Sequence, residues 1–133
     1  MAKSFRQMVE EGRQGTPVIS PQEAQKKMQE DPNTLVVDVR DAADLAGTGV
    51  IPGSVNVSLG MLPVRADQEL PEAARNAELQ DRNRPIITTC QAGGQASLAA
   101  KVLKDMGFTN VSILDGGTSG WKNAGLPTEA PKS

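Results

Sequence analysis

The chain contains no histidine and only one cysteine among its 133 residues. Without histidine, neither a cysteine–histidine zinc site nor the cysteine–histidine pair of a protease can be built. A single cysteine also excludes an internal disulfide. We therefore expect no metal and no cofactor, and any chemistry of the one thiol, Cys90, would take place without either.

The net charge is also small, aromatic residues are few, and long apolar runs are absent. The formal net charge is −2, and no long basic or acidic run is present, so a nucleic-acid surface is not expected. Aromatic residues make up 2% of the chain, which leaves little for stacking on bases. No apolar stretch could cross a bilayer, and the first eight residues lack the apolar core of a signal peptide. We expect a soluble, cytoplasmic protein that binds neither nucleic acid nor membrane.

Strand and helix signals alternate along the chain. Strands are expected at 34–39, 85–89 and 110–114, with shorter extended pieces at 16–19 and 50–57. Helices are expected at 2–12, 20–30 and 95–106 and around Trp121. This alternation predicts an α/β fold with a mainly parallel sheet and helices on both faces. We expect a single domain over 1–133, with the N-terminal helix of 1–15 docked on it and a frayed tail at 128–133.

Two local features sharpen this prediction. Ser20, Pro21 and Glu23 are suited to the N-cap, the first helical position and the capping box of the second helix. The middle of the chain has weaker signals. There we expect a short helix over 41–46 capped by Asp41, a connecting loop over 60–65 and a helix over 71–79.

The most informative stretch is residues 88–97, Thr-Thr-Cys-Gln-Ala-Gly-Gly-Gln-Ala-Ser. It places Cys90 at the end of a strand, before two glycines and the start of a helix. Main-chain N–H groups and the positive end of the helix dipole would converge on the sulfur there. That environment favours the thiolate, which is the nucleophilic form. A lone cysteine is most often a small buried hydrophobe, so that interpretation stands beside the catalytic one.

Four segments of the chain together resemble the single-domain rhodanese family. They are Asp38-Val39-Arg40-Asp41, Ile51-Pro52-Gly53-Ser54, Cys90-Gln91-Ala92-Gly93-Gly94, and Leu114-Asp115-Gly116-Gly117 followed by Trp121 and Gly125-Leu126-Pro127. The resemblance implies a rhodanese-like fold and a sulfurtransferase. Its small-molecule partners would be a sulfur donor, such as thiosulfate, and an acceptor, such as cyanide or a thiol. Cys90 would carry the sulfur as a persulfide, and no protein partner is indicated.

The glycine-rich loop suits this chemistry because a persulfide and a departing sulfite are both negative. Backbone N–H groups of the loop would hold them, as an oxyanion hole holds developing charge. The residues expected to contribute these groups are Gln91, Ala92, Gly93, Gly94 and Gln95.

The loop departs from the family pattern at its end. Many relatives have arginine and then serine after the glycines, where this chain has Gln95 and Ala96. Either a less charged donor is preferred, such as a polysulfide, or Arg65 supplies the missing charge, although an arginine there is more often simply solvated. Val50 also stands where relatives often carry histidine. The alternative function is a rhodanese-like binding or regulatory module with an idle thiol.

Three other features have simpler interpretations. A cysteine-dependent phosphatase loop needs arginine at position 96, and this chain has alanine there. Asp38 and Arg40 are expected to pin loops rather than to act as acid and base. Trp121 is expected to seal the core under the last helix.

Overall fold

Five parallel strands form one sheet in the computed structural model, which describes residues 2–132. The strands are β1 (Val18–Ile19), β2 (Leu35–Asp38), β3 (Val55–Asn56), β4 (Ile86–Thr89) and β5 (Val111–Leu114). Their order across the sheet is β1-β5-β4-β2-β3. The three central strands are buried at every position, as their apolar sequences require.

Helices cover both faces of this sheet, so the predicted α/β class is confirmed. They are α1 (Phe5–Arg13), α2 (Pro21–Glu30), α3 (Leu62–Arg65), α4 (Gly94–Asp105) and α5 (Gly117–Asn123). Leu62 of α3 and Leu103 of α4 belong to the apolar core on one face. Ala24 of α2 and Trp121 of α5 belong to the core on the other, so Trp121 seals the core as expected.

The predicted start of α2 is confirmed in detail. The Ser20 hydroxyl accepts a hydrogen bond from the Glu23 N–H at 3.1 Å, and the Glu23 carboxylate accepts one from the Ser20 N–H at the same distance. The backbone N–H of Ser20, with a smaller contribution from its side chain, lowers the pKa of Glu23 below its ordinary value. A second capping box, made by Ser4 and Gln7, begins α1 and was missed by the sequence analysis.

Helix α1 lies against α4 and approaches it very closely at Gly12, which is buried. A Cβ atom at this position would lie 2.2 Å from the backbone carbonyl oxygen of Ser97. Because that neighbour is backbone, only glycine allows the two helices this separation. The helix continues to Arg13, one residue beyond the predicted end.

The middle of the chain differs from prediction in three places. Residues 60–65 are not a loop, because a 3-10 turn (Leu59–Met61) leads into α3, whose Leu62 is fully buried. The helix expected over 71–79 is instead two 3-10 turns, Glu72–Ala74 and Ala77–Leu79. The short helix at 41–46 is reduced to a 3-10 turn, Ala42–Asp44.

The segment between α3 and β4 is held by an arginine that no local pattern would reveal. Arg82 donates hydrogen bonds to the carbonyls of Ala66, Leu79 and Met106, at 2.7, 3.0 and 2.9 Å. Its guanidinium also lies 4.5 Å from the ring centroid of Phe108. Partial burial lowers the pKa of Arg82 below its ordinary value. Contacts of this kind replace the regular helical bonds that the sequence suggested.

The C-terminal segment is fastened at two points. The indole N–H of Trp121 donates to the carbonyl of Pro127 at 2.7 Å. Glu129, inside the segment expected to fray, exchanges two backbone hydrogen bonds with Val50, so pairing extends to that residue. Met1 and Ser133 lie outside the described residues. Within 2–132, no helix combines the length and the apolar character needed to cross a membrane.

Candidate active site

Cys90 lies at the carboxyl end of β4, near the centre of the sheet. This is the edge at which open α/β sheets place their sites. The sulfur accepts hydrogen bonds from the backbone N–H groups of Gly93 at 3.1 Å and Ala96 at 3.3 Å. The residue is only 2% exposed, so both donors act on the sulfur in a largely water-free setting. Two aligned donors stabilise a negative sulfur more than a neutral one.

The loop of residues 90–96, called the Cys90 loop below, depends on its two glycines. Gly93 has a φ of 110°, in the left-handed region that favours glycine, and it is the N-cap of α4. Gly94 then starts the twelve-residue helix. The turn at Gly93 brings the first turn of α4 back towards the sulfur, so the positive end of its dipole faces Cys90.

Helix α5 binds the first two carbonyl groups of the Cys90 loop. The N–H groups of Thr118 and Ser119 donate to the carbonyls of Cys90 and Gln91, at 2.8 and 3.1 Å. Gly117 makes this approach possible, because a Cβ there would lie 2.7 Å from the Cys90 carbonyl oxygen. Because these two carbonyls are bound to α5, they do not compete for the N–H groups of the loop.

Four N–H groups of the Cys90 loop have no acceptor within residues 2–132: those of Gln91, Ala92, Gly94 and Gln95. They are available to an anion beside the sulfur. Of the five residues predicted to contribute, Gly93 contacts the sulfur directly and the other four have open donors. The direct donor Ala96 was missed. Its signal was present in the sequence, since the third residue of a helix always has a free N–H group.

Asp38 and Arg40 form a buried ion pair beside the Cys90 loop. The closest contact joins Arg40 Nη2 and Asp38 Oδ2 at 2.7 Å, and both side chains are at most 3% exposed. Arg40 also donates to Thr48 at 2.7 Å and to the side-chain oxygen of Gln91 at 3.3 Å. The amide of Gln91 in turn donates to Ser119 at 3.0 Å. The pair thus anchors the first residue after the cysteine, as its predicted structural role requires.

Arg65 does not contact the Cys90 loop among the described residues. Its guanidinium donates to the carbonyl of Ala74 at 2.7 Å. The side chain lines a separate cavity of about 350 Å³ together with Asp41, Asn56 and Ser58. Gln95, which stands where many relatives have arginine, is exposed at the start of α4. The part of the chain that is described contains no cluster of three or more carboxylate or thiolate groups able to hold a metal ion.

Comparison with known proteins agrees with this architecture. A family profile described as a rhodanese-like domain matches residues 20–124. The chain is similar to the thiosulfate sulfurtransferase GlpE of Ectopseudomonas mendocina, with 33% identity over 111 residues, or 84% of this chain and 88% of that protein.

Two solved structures are similar as well. One is a protein of unknown function from Rhodopseudomonas palustris, described as a possible tyrosine phosphatase, with a TM-score of 0.88 and 27% identity, covering 97% of this chain and 96% of the other. The second is the homodimeric polysulfide-sulfur transferase of Wolinella succinogenes, with a TM-score of 0.74 and 27% identity, covering 96% and 88%.

Proposed function

Because the chain belongs to the rhodanese-like domain family, we propose that it is a sulfurtransferase in which Cys90 carries the sulfur as a persulfide. One observation supports this most directly. The sulfur of Cys90 accepts two backbone N–H groups, and four more in the same loop have no acceptor among residues 2–132. A persulfide adds a second, negatively charged sulfur beyond the first, and these open donors are suited to stabilise it.

In the first half-reaction, the Cys90 thiolate attacks the outer sulfur of the donor. With thiosulfate, a new S–S bond forms to Cys90, the S–S bond of the donor breaks, and sulfite leaves with the bonding electron pair. The two negative charges on thiosulfate become two on sulfite, while the charge of the thiolate passes to the terminal persulfide sulfur. The open N–H groups of the Cys90 loop would stabilise that sulfur and the departing sulfite.

In the second half-reaction, an acceptor attacks the terminal sulfur. Cyanide takes this sulfur to become thiocyanate, or a thiolate takes it to become a new persulfide. The electron pair of the broken S–S bond returns to Cys90 as the thiolate. Because Gly93 and Ala96 donate to Sγ itself, they stabilise this leaving thiolate.

The identity of the donor depends on charge at the end of the loop. Neutral Gln95 offers a compact dianion such as thiosulfate weaker hydrogen bonds than a charged arginine would. We therefore propose polysulfide or a small persulfide as a donor beside thiosulfate. The similarity to the polysulfide-sulfur transferase of Wolinella succinogenes supports this. The lone thiol must stay reduced to act, so the cytoplasm is the proposed location.

Mass spectrometry of the intact protein tests this function. After incubation with thiosulfate or polysulfide, the protein should gain the mass of one sulfur atom, and later addition of cyanide should remove it and produce thiocyanate. Cys90→Ser should show neither change, because an alkoxide is not available at neutral pH. If Cys90 gains no sulfur from any donor, the chain is a rhodanese-like binding module instead. A phosphatase reaction is not proposed, because Ala96 occupies the position where that loop requires arginine.

A further inference from the structure

We propose that Arg13, at the end of α1, supplies the Cys90 loop with the positive charge that Gln95 lacks. Arg13 would thereby be a specificity-determining residue that favours anionic sulfur donors, a role that rests on the proposed function. Helix α1 precedes residues 20–124, which match the family profile. The charge therefore comes from a part of this chain outside the residues that match the profile.

Arg13 is connected to the sulfur through a short series of hydrogen bonds. Its Nε donates to the hydroxyl of Ser97 at 3.1 Å, and that hydroxyl donates to the carbonyl of Gly93 at 2.8 Å. The N–H of Gly93 donates to Sγ of Cys90 at 3.1 Å. The guanidinium also touches the loop directly, because Nη2 lies 3.3 Å from the point where a Cβ of Gly93 would stand.

The packing of α1 explains why the guanidinium reaches this position. Gly12 presses on the Ser97 carbonyl, so the residue that follows it is carried to the first turn of α4. At the other end of the helix, the ring of Phe5 lies over Gly94, where a Cβ would be only 2.8 Å from the ring. Helix α1 thus contacts the start of α4 at both of its ends, most tightly at Gly12.

The charge of Arg13 is not neutralised by a neighbouring carboxylate. Within residues 2–132, no carboxylate lies at ion-pair distance from it. The two acidic residues of α1 form ion pairs with other cations, Glu10 with Arg6 and Glu11 with Lys3. Arg40, the other cation that reaches the Cys90 loop, is paired with Asp38. Arg13 is half-buried, so its field is screened less than that of an exposed side chain.

Charge-selective alkylation of Cys90 tests this role without requiring any sulfur transfer. The thiolate displaces iodide from both iodoacetate, which is anionic, and iodoacetamide, which is neutral, and Cys90 is the only thiol in the chain. The ratio of the two rates reports the local charge. We expect Arg13→Gln to lower the ratio of iodoacetate to iodoacetamide rates roughly three- to tenfold. Arg13→Lys should keep most of it, and added salt should bring the wild-type ratio towards that of Arg13→Gln.

A matched control separates the effect of the Arg13 charge from the effect of its contact between α1 and α4. Lys104 also joins the N-terminal segment to α4, through Thr16 at 2.8 Å, but it lies about 10 Å further along the helix than Ser97. Lys104→Gln removes the same net charge and should leave the ratio unchanged. If Arg13→Gln only loosened α1, both alkylation rates would rise together and the ratio would stay constant, which would overturn the inference.

Turnover provides the second readout. In Arg13→Gln, the KM for thiosulfate should rise by a similar factor while kcat changes less, and adding Gln95→Arg to that variant should restore the KM. If the wild type takes up sulfur but Arg13→Gln leaves both KM and the alkylation ratio unchanged, the role of Arg13 is refuted and the sulfurtransferase proposal stands. If no donor loads Cys90, the alkylation ratio still decides whether Arg13 charges the loop.

Discussion

Replacing Asp38 with asparagine should destabilise the protein strongly, although Asp38 takes no part in the proposed chemistry. The Asp38 carboxylate accepts hydrogen bonds from the Arg40 backbone and guanidinium, and both side chains are almost fully buried. Asp38→Asn is nearly the same size, so it creates no cavity. It removes the countercharge of Arg40 and leaves a buried cation without its anion.

The size of this loss of stability depends on the hydrogen-bond acceptors that Arg40 retains. Removing one member of a buried ion pair costs about 3–5 kcal/mol. Arg40 retains neutral acceptors in Thr48, Gln91 and the carbonyl of Gly49, so the lower end applies. We expect a loss of about 3 kcal/mol in the free energy of unfolding. For a domain of this size, that loss lowers the Tm by about 10 °C.

Urea unfolding, followed by the fluorescence of Trp121, measures this loss, because Trp121 is the only tryptophan and is buried in the core. Asp41→Asn is the matched control. Asp41 is exposed, and its side chain makes no capping bond in the described structure, so its replacement should change stability by less than about 0.5 kcal/mol. A loss below about 1 kcal/mol for Asp38→Asn would refute the reasoning, since it would mean that Arg40 is stabilised well enough without its carboxylate.

Two further predictions concern the loop and the helix behind it. Gln95→Arg should raise thiosulfate turnover more than polysulfide turnover, because an added cation helps a compact dianion more than one whose charge is spread along a sulfur chain. Initial rates with both donors measure this, and an equal rise would contradict it. Gly12→Ala should lower the Tm of thermal unfolding, because its methyl group would meet the Ser97 backbone, which cannot move aside. Gly94→Ala is its control and should lower the Tm less, since the ring of Phe5 is 57% exposed and can swing away. Equal losses of Tm in the two variants would contradict this explanation.

Local sequence signals predicted the elements whose bonds are local. The capping box of Ser20 and Glu23 lies within four residues. The apolar runs of β2, β4 and β5 directly indicate strands that are buried on both faces. The prediction for residues 60–79 was wrong, because the shape of this region depends on groups that are distant in the sequence. Arg82 fixes the carbonyls of Ala66 and Leu79 there, and two 3-10 turns result where a helix was expected.

In the candidate site, too, local features could be predicted from the sequence and contacts between distant residues could not. Cys90 and its glycines could be found because strand, turn and helix start follow one another directly in the sequence. The contact between Arg13 and Ser97 joins residues 84 positions apart, so no spacing pattern could suggest it. It depends on how closely α1 approaches α4, and only the folded chain shows that Gly12 allows this approach.

Helix α5 has a consequence for the order of events in the proposed reaction. Its N-terminus points towards Cys90, but the N–H groups of Thr118 and Ser119 are already occupied by the carbonyls of Cys90 and Gln91. These two N–H groups are therefore not available to a second anion beside α4. In the proposed reaction with thiosulfate, donor and acceptor would use the pocket of α4 in turn, and sulfite would depart before the acceptor enters. If the proposed function is correct, such a protein would work by a ping-pong scheme, in which the persulfide form would store the sulfur between two separate encounters.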